Sequence, residues 1–277
     1  MLFRELKEWD RINRGRGDRK EPEDPFLSVD DDQIMSSFYR SSIKSLAVRN
    51  GAEAIELLCR SYERVFHDLN LAMLKQGEED LEIQCTVRKW DHSIDPLWEF
   101  RMIVKDYVPS ALTQYHKSVV IPRAKTYKSF LEKRILAEFE GIKDKLSTEL
   151  RDYTIDFAVV LKDASLQNVP IEDGLDREEE IKEDPVDRVF LIEINHEPPS
   201  AGTALFNFRD DEDRKILNGE KPFEFRVLEN AQQLEHEELD EVLPDHALKF
   251  LKVLRGQSEP VEPTISRQGT ARKCVIL

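Results

Sequence analysis

The chain has 277 residues, 40% of them hydrophobic, enough to bury a core in one large domain or two small ones. Its 41 Lys and Arg against 56 Asp and Glu give a net charge of −15, which argues against general nucleic-acid binding because phosphate contacts need a basic face. Cys59, Cys85 and Cys274 have no paired spacing, the six histidines are scattered, and neither HExxH nor a glycine-rich phosphate loop occurs, so zinc and P-loop chemistry are not expected. No signal peptide or apolar run of membrane-spanning length is present in the sequence, and a reduced, cytoplasmic protein is expected.

Residues 1–30 are polar, with RGRGDRK followed by EPEDP, and read as a loop or tail. Asp30 to Asp32 are placed to cap a helix over 33–49. Gly51 starts a second helix whose Ile55, Leu58, Cys59, Tyr62, Val65, Phe66 and Leu69 follow helical spacing, which predicts that the two helices pack together through buried apolar side chains. After the turn QGEED, alternation over Leu81, Ile83, Cys85 and Val87 predicts a strand that runs into a basic and aromatic tip, Arg88, Lys89 and Trp90. The usual role of a tryptophan at such a place is a core anchor.

LWEFRMIV predicts the next strand, with Glu99 and Arg101 on one side and Phe100 and Met102 on the other. PSALTQYH and SVVIP are short enough to complete an antiparallel meander. A helix over about 125–149 carries Phe130, Leu131, Ile135, Phe139, Ile142 and Leu146 along one stripe. YTIDFAVVL (153–161) and RVFLIEIN (188–195) read as a long hairpin around an acidic loop, in which nine acids face two bases over 172–187. FEFRVLE (223–229) reads as a last or edge strand and DHALKFLKVL (245–254) as a short final helix. Three units follow: 1–30, a folded region over 31–255, and a flexible tail over 256–277.

Strict alternation in the second strand of the hairpin places Val189, Leu191, Glu193 and Asn195 on one face and Phe190, Ile192 and Ile194 on the other. Both faces are then apolar until Glu193, and a carboxylate there needs a partner. Asp156 poses the same problem in the middle of the neighbouring strand. Three hard oxygen ligands, Asp156, Glu193 and Asn195, suit Mg²⁺. Arg88, Lys89 and Arg101 lie at the ends of other predicted strands and suit a purely structural ion-pair cluster. Spacing leaves both readings open.

The segments VRKW (87–90), EFRMIV (99–104), ALTQY (111–115), YTIDFAVV (153–160), RVFLIEIN (188–195), ALFNF (204–208) and PFEFRV (222–227) occur in an order that resembles the cell-division-cycle 123 family, over roughly residues 34–230. The resemblance implies an α+β, ATP-grasp-like fold with a largely antiparallel sheet, packed helices and a reduced N-terminal lobe. It places Arg88, Lys89 and Trp90 at a nucleotide, Arg101 at its phosphates, and Asp156, Glu193 and Asn195 at Mg²⁺, with ATP and Mg²⁺ as cofactors. Glu193 stands where many relatives have Asp. After Asn195, the polar family pattern gives way to His196, Pro199, Ala201 and Gly202. For the N-lobe ATP lysine of the family, the resemblance offers Lys20 as the one candidate remnant.

The function implied is assembly of a protein partner, a subunit of eukaryotic translation initiation factor 2, without direct nucleic-acid binding. An ATP-grasp ligase or phosphoryl-transfer enzyme and a tethered binding module without nucleotide are the alternatives. The ending ARKCVIL matches the prenylation pattern, with Cys274 as the geranylgeranyl acceptor and reversible membrane association the expected result.

Overall fold

In this computed structural model the described residues are 31–61, 65–66, 69–70, 73, 87–121, 123–146, 150–163, 183–198 and 201–229. Helix α1 spans Asp31–Lys44 and α2 Gly51–Arg60. A 3₁₀ turn over Pro96–Trp98 leads into β1, Glu99–Lys105, which is followed by β2, Val108–Gln114. Helix α3, Lys128–Ile142, precedes β3, Tyr153–Leu161, and β4, Val186–Asn195. Helix α4, Asp211–Leu217, and the three-residue β5, Glu224–Arg226, follow.

The strands form one sheet in the order β4-β3-β1-β2-β5. All pairs are antiparallel except β2 with β5, which is parallel. The architecture is therefore the α+β arrangement of a largely antiparallel sheet with packed helices. The β3–β4 hairpin is as expected, and β5 is indeed an edge strand. The 1–30 segment, all but Val87 of the strand expected over Leu81 to Val87, most of the acidic loop, the helix over 245–254 and the tail with Cys274 lie outside the described residues.

Side-chain alternation divides the sheet between two cores. Phe100, Met102, Leu112, Ile155 and Phe157 point to the larger one, where Leu131, Ile135 and Phe139 of α3 and the wholly buried Trp98 join them. Each such side chain contributes about 1.5–3 kcal/mol through its apolar area. On the opposite face, Ile103 and Ala111 pack with Phe206 and with Ile216 and Leu217 of α4 in a smaller cluster. Strand β3 is buried throughout, so a charge on it is buried as well.

Three expectations are corrected. The described part of SVVIP, residues 118–121, forms no strand: the residues after β2 turn back, because the Gln114 side chain donates to the carbonyls of His116 (2.6 Å) and Val119 (2.9 Å) and accepts from the Leu228 amide (2.8 Å). Buried side-chain bonds of this kind replace a ladder. Helix α2 buries none of its residues; Ile55 is 62% exposed and Cys59 is exposed, so its apolar stripe has no cover among the described residues. Helix α1 is held instead to the 3₁₀ turn, where Arg40 makes a bidentate pair with Asp95, and to His116, whose ring lies tilted against that of Tyr39 with centroids 4.2 Å apart.

The third correction concerns β4. Asp156 pairs with Glu193 and Phe157 with Leu191, leaving Ile192 as an extra residue in a β-bulge. One inserted residue reverses the parity of everything before it. Val189 and Leu191 therefore pack against the large core together with Ile194, and do not share a face with Glu193.

Candidate functional site

Registers across the five strands line up a single polar row. Glu193 on β4 opposes Asp156 on β3, Asp156 opposes Arg101 on β1, Arg101 opposes Thr113 on β2, and Thr113 opposes Arg226 on β5. Directly opposed residues share a face, so the row runs from acid at the β4 edge to base at the β5 edge. Glu99, two residues before Arg101 on the same strand, adds a third carboxylate to that face.

Asp156 is completely buried and Arg101 nearly so. They form a two-pronged pair, Arg101 Nε donating to Oδ1 at 2.8 Å and Nη2 to Oδ2 at 2.7 Å, while Nη1 donates to the Gly202 carbonyl at 2.7 Å. Asn195 donates its amide nitrogen to Asp156 Oδ2 at 3.2 Å and to Glu193 Oε1 at 2.9 Å. The guanidinium also lies 4.7 Å from the centre of the Tyr115 ring.

Three carboxylates lie on the face of a single guanidinium that is paired with Asp156, and the surplus falls on Glu99. Its pKa is pushed up to about 8, first by burial, then by the charges of Asp156 and Glu193, against a smaller opposing effect of Arg101. Burial raises Asp156 too, with Arg101 opposing and Glu193 adding to the rise. Tyr115 is raised chiefly by burial. In the sequence Glu99 shares the face of Arg101 without a role of its own, and its alternation with Phe100 is the signal for that face.

Asp156, Glu193 and Asn195 thus lie together, with Arg101 bound to Asp156. Arg88 reaches this region from outside: its Nη1 donates to the Ile192 carbonyl at 2.6 Å, at the bulge next to Glu193. Arg88, Lys89 and Trp90 are exposed, and Trp90 meets His92 edge-on at 6.4 Å, so Trp90 is no core anchor. That place belongs to Trp98.

The donor set fits a divalent cation in kind and in charge: hard oxygens and negative charge in excess of what Arg101 neutralises. Among the described residues no three His, Cys, Asp or Glu side chains are grouped to hold a metal by themselves. Asp156 already spends both oxygens on Arg101, so a cation here would draw on Glu193, on Asn195 once its amide is turned, and on water or phosphate oxygens. That open, phosphate-sharing shell is the habit of Mg²⁺.

No curated protein matches this chain. Among the solved structures similar to it are two from Schizosaccharomyces pombe. C-terminally truncated Cdc123 is 18% identical with a TM-score of 0.43, covering 81% of this chain and 95% of that one. Cdc123 is 17% identical with a TM-score of 0.38, covering 82% and 97%. The profile of the D123 family matches residues 39–249, which takes in every strand of the sheet and the whole polar row. The chain belongs to the D123 family.

Proposed function

We propose that this protein binds ATP with Mg²⁺ and acts as an assembly factor for a protein partner, a subunit of translation initiation factor 2 being the partner its family suggests. The observation that carries the nucleotide part is the surplus of carboxylate on one sheet face beside Arg101. Bound Mg²⁺ would supply neutralising charge to phosphate and carboxylate together. Glu193 and Asn195 would orient it, Arg101 would offer a guanidinium toward the phosphates, and Arg88 would hold the bulge that aims Glu193.

Binding and release of the nucleotide is the activity that Arg101, Glu193 and Asn195 suit. The Arg101–Asp156 pair favours a second reading, a binding module whose acids are satisfied without metal. Calorimetric titration with ATP separates the two. Binding that strengthens with Mg²⁺ and loses that increment in Glu193→Ala supports the assembly factor. ATP affinity that ignores Mg²⁺ in the folded protein would select the module.

A further inference from the structure

On the other side of Arg101 from the acids, the structure has a cleft of about 920 Å³. Its walls are the Gly202–Arg209 stretch, β5 with the residues that follow it to Glu229, the turn after β2, and Lys128 at the start of α3. A cavity of this size is within the range of about 300–1,000 Å³ typical of small-molecule sites. Neither Asp156 nor Glu193 lines it.

The lining carries five cations, Arg101, Lys117, Lys128, Arg209 and Arg226, and two acids, Glu224 and Glu229, in a protein of net charge −15. Both acids are engaged, Glu224 by Arg226 at 2.6 Å and Glu229 by Lys125 at 3.2 Å. Three of the cations lie over aromatic rings: Arg101 over Tyr115 at 4.7 Å, Lys128 over Phe225 at 5.8 Å and Arg226 over Phe206 at 4.0 Å. A ring face holds a cation in position without cancelling its charge. Lys128 and Arg209 have no carboxylate partner among the described residues, although Asp and Glu outnumber Lys and Arg in the chain. A low-dielectric cleft lined by one sign of charge concentrates the opposite sign.

We propose that this cleft is a second ligand site, separate from the acid end of the row, for an organic anion: a carboxylate or phosphate joined to an aromatic or apolar body. Lys128 and Arg209 supply the charge, and Tyr115, Phe206 and Phe225 the apolar contact. Arg101 is the one residue shared by the two sites, held on the acid side by Asp156 and on the cleft side by the Gly202 carbonyl.

Calorimetry of the full chain with phenyl phosphate and with benzoate tests the site. The wild type is expected to bind at least one probe, and the stronger of the two tells whether phosphate or carboxylate is preferred. A Lys128→Gln/Arg209→Gln variant is expected to lose about tenfold or more in affinity, because two charge-assisted contacts are removed. Its unfolding midpoint should be unchanged, and Glu193→Ala should bind the probe as the wild type does. Absence of heat at millimolar probe, equal affinity in the double variant, or displacement of the probe by ATP with Mg²⁺ would each overturn a separate site. Failure of ATP binding alone would leave this result standing.

Discussion

Two neighbouring rows of the same sheet show how differently one register can be used. Ile194, Ile155, Met102, Leu112 and Phe225 cross the five strands one residue away from Glu193, Asp156, Arg101, Thr113 and Arg226. The first row is apolar from edge to edge and belongs to the large core. The second runs from acid to base, with Asp156 buried as deeply as the hydrophobic residues beside it and Arg101 nearly so. The apolar row needs only shape, and any one member can be trimmed at a local cost. The polar row needs every charge accounted for, and its excess is expressed in Glu99 and in whatever binds there.

Removing the shared cation is the severest way to break that contrast. Arg101→Met leaves Asp156 buried beside two other carboxylates, and a loss of about 3–5 kcal/mol in urea unfolding is expected. Adding Asp156→Leu should recover most of it, since a buried ion pair replaced as a whole costs little. In the apolar row, Met102→Ala should cost about 2–5 kcal/mol, and no second substitution in the polar row should restore it. Recovery there by a charge change would contradict the independence of the two faces.

Glu99 gives a sharper test through pH. Its carboxyl holds its proton more tightly folded than unfolded, rising from 4.5 to about 8. The stability tied to that proton is therefore fully present below about pH 4.5 and is lost as pH rises through about 8. Glu99→Gln should outlast the wild type in urea at pH 8.5 and lose that advantage toward pH 5. His116 works in the opposite sense: burial lowers it from 6.5 to about 4, so its contribution is present above about pH 6.5 and lost as pH falls through about 4. His116→Gln should flatten the acid limb of the stability profile. The smallest effect belongs to exposed Glu193, whose change to Gln should alter metal-free stability by no more than about 0.5 kcal/mol.

Much of this was legible in the residues. The alternation of EFRM separated the two rows on β1, and the isolated Asp156 and Glu193 in apolar runs marked the acid end. The bulge at Ile192 was not legible, because a single extra residue leaves a run of apolar side chains looking continuous while reversing which of them face the core. SVVIP has strand composition, yet Gln114 binds it into a turn from outside the segment. The apolar spacing of α2 signals burial, but periodicity says which face would pack and not what covers it. The cleft had no local signature at all: its lining comes from Arg101, the turn after β2, Lys128, and two stretches after residue 200, and only the register of β5 on β2 brings them together.

Three carboxylates crowd one guanidinium on this face, and Glu99 carries the excess. The most direct measurement is a pH titration of the Glu99 carboxyl carbon by NMR on ¹³C-labelled protein, assigned by its loss in Glu99→Gln. A midpoint near 8 is expected in the metal-free protein, moving down when Mg²⁺ and ATP are added. A midpoint at the ordinary value of 4.5 would contradict it.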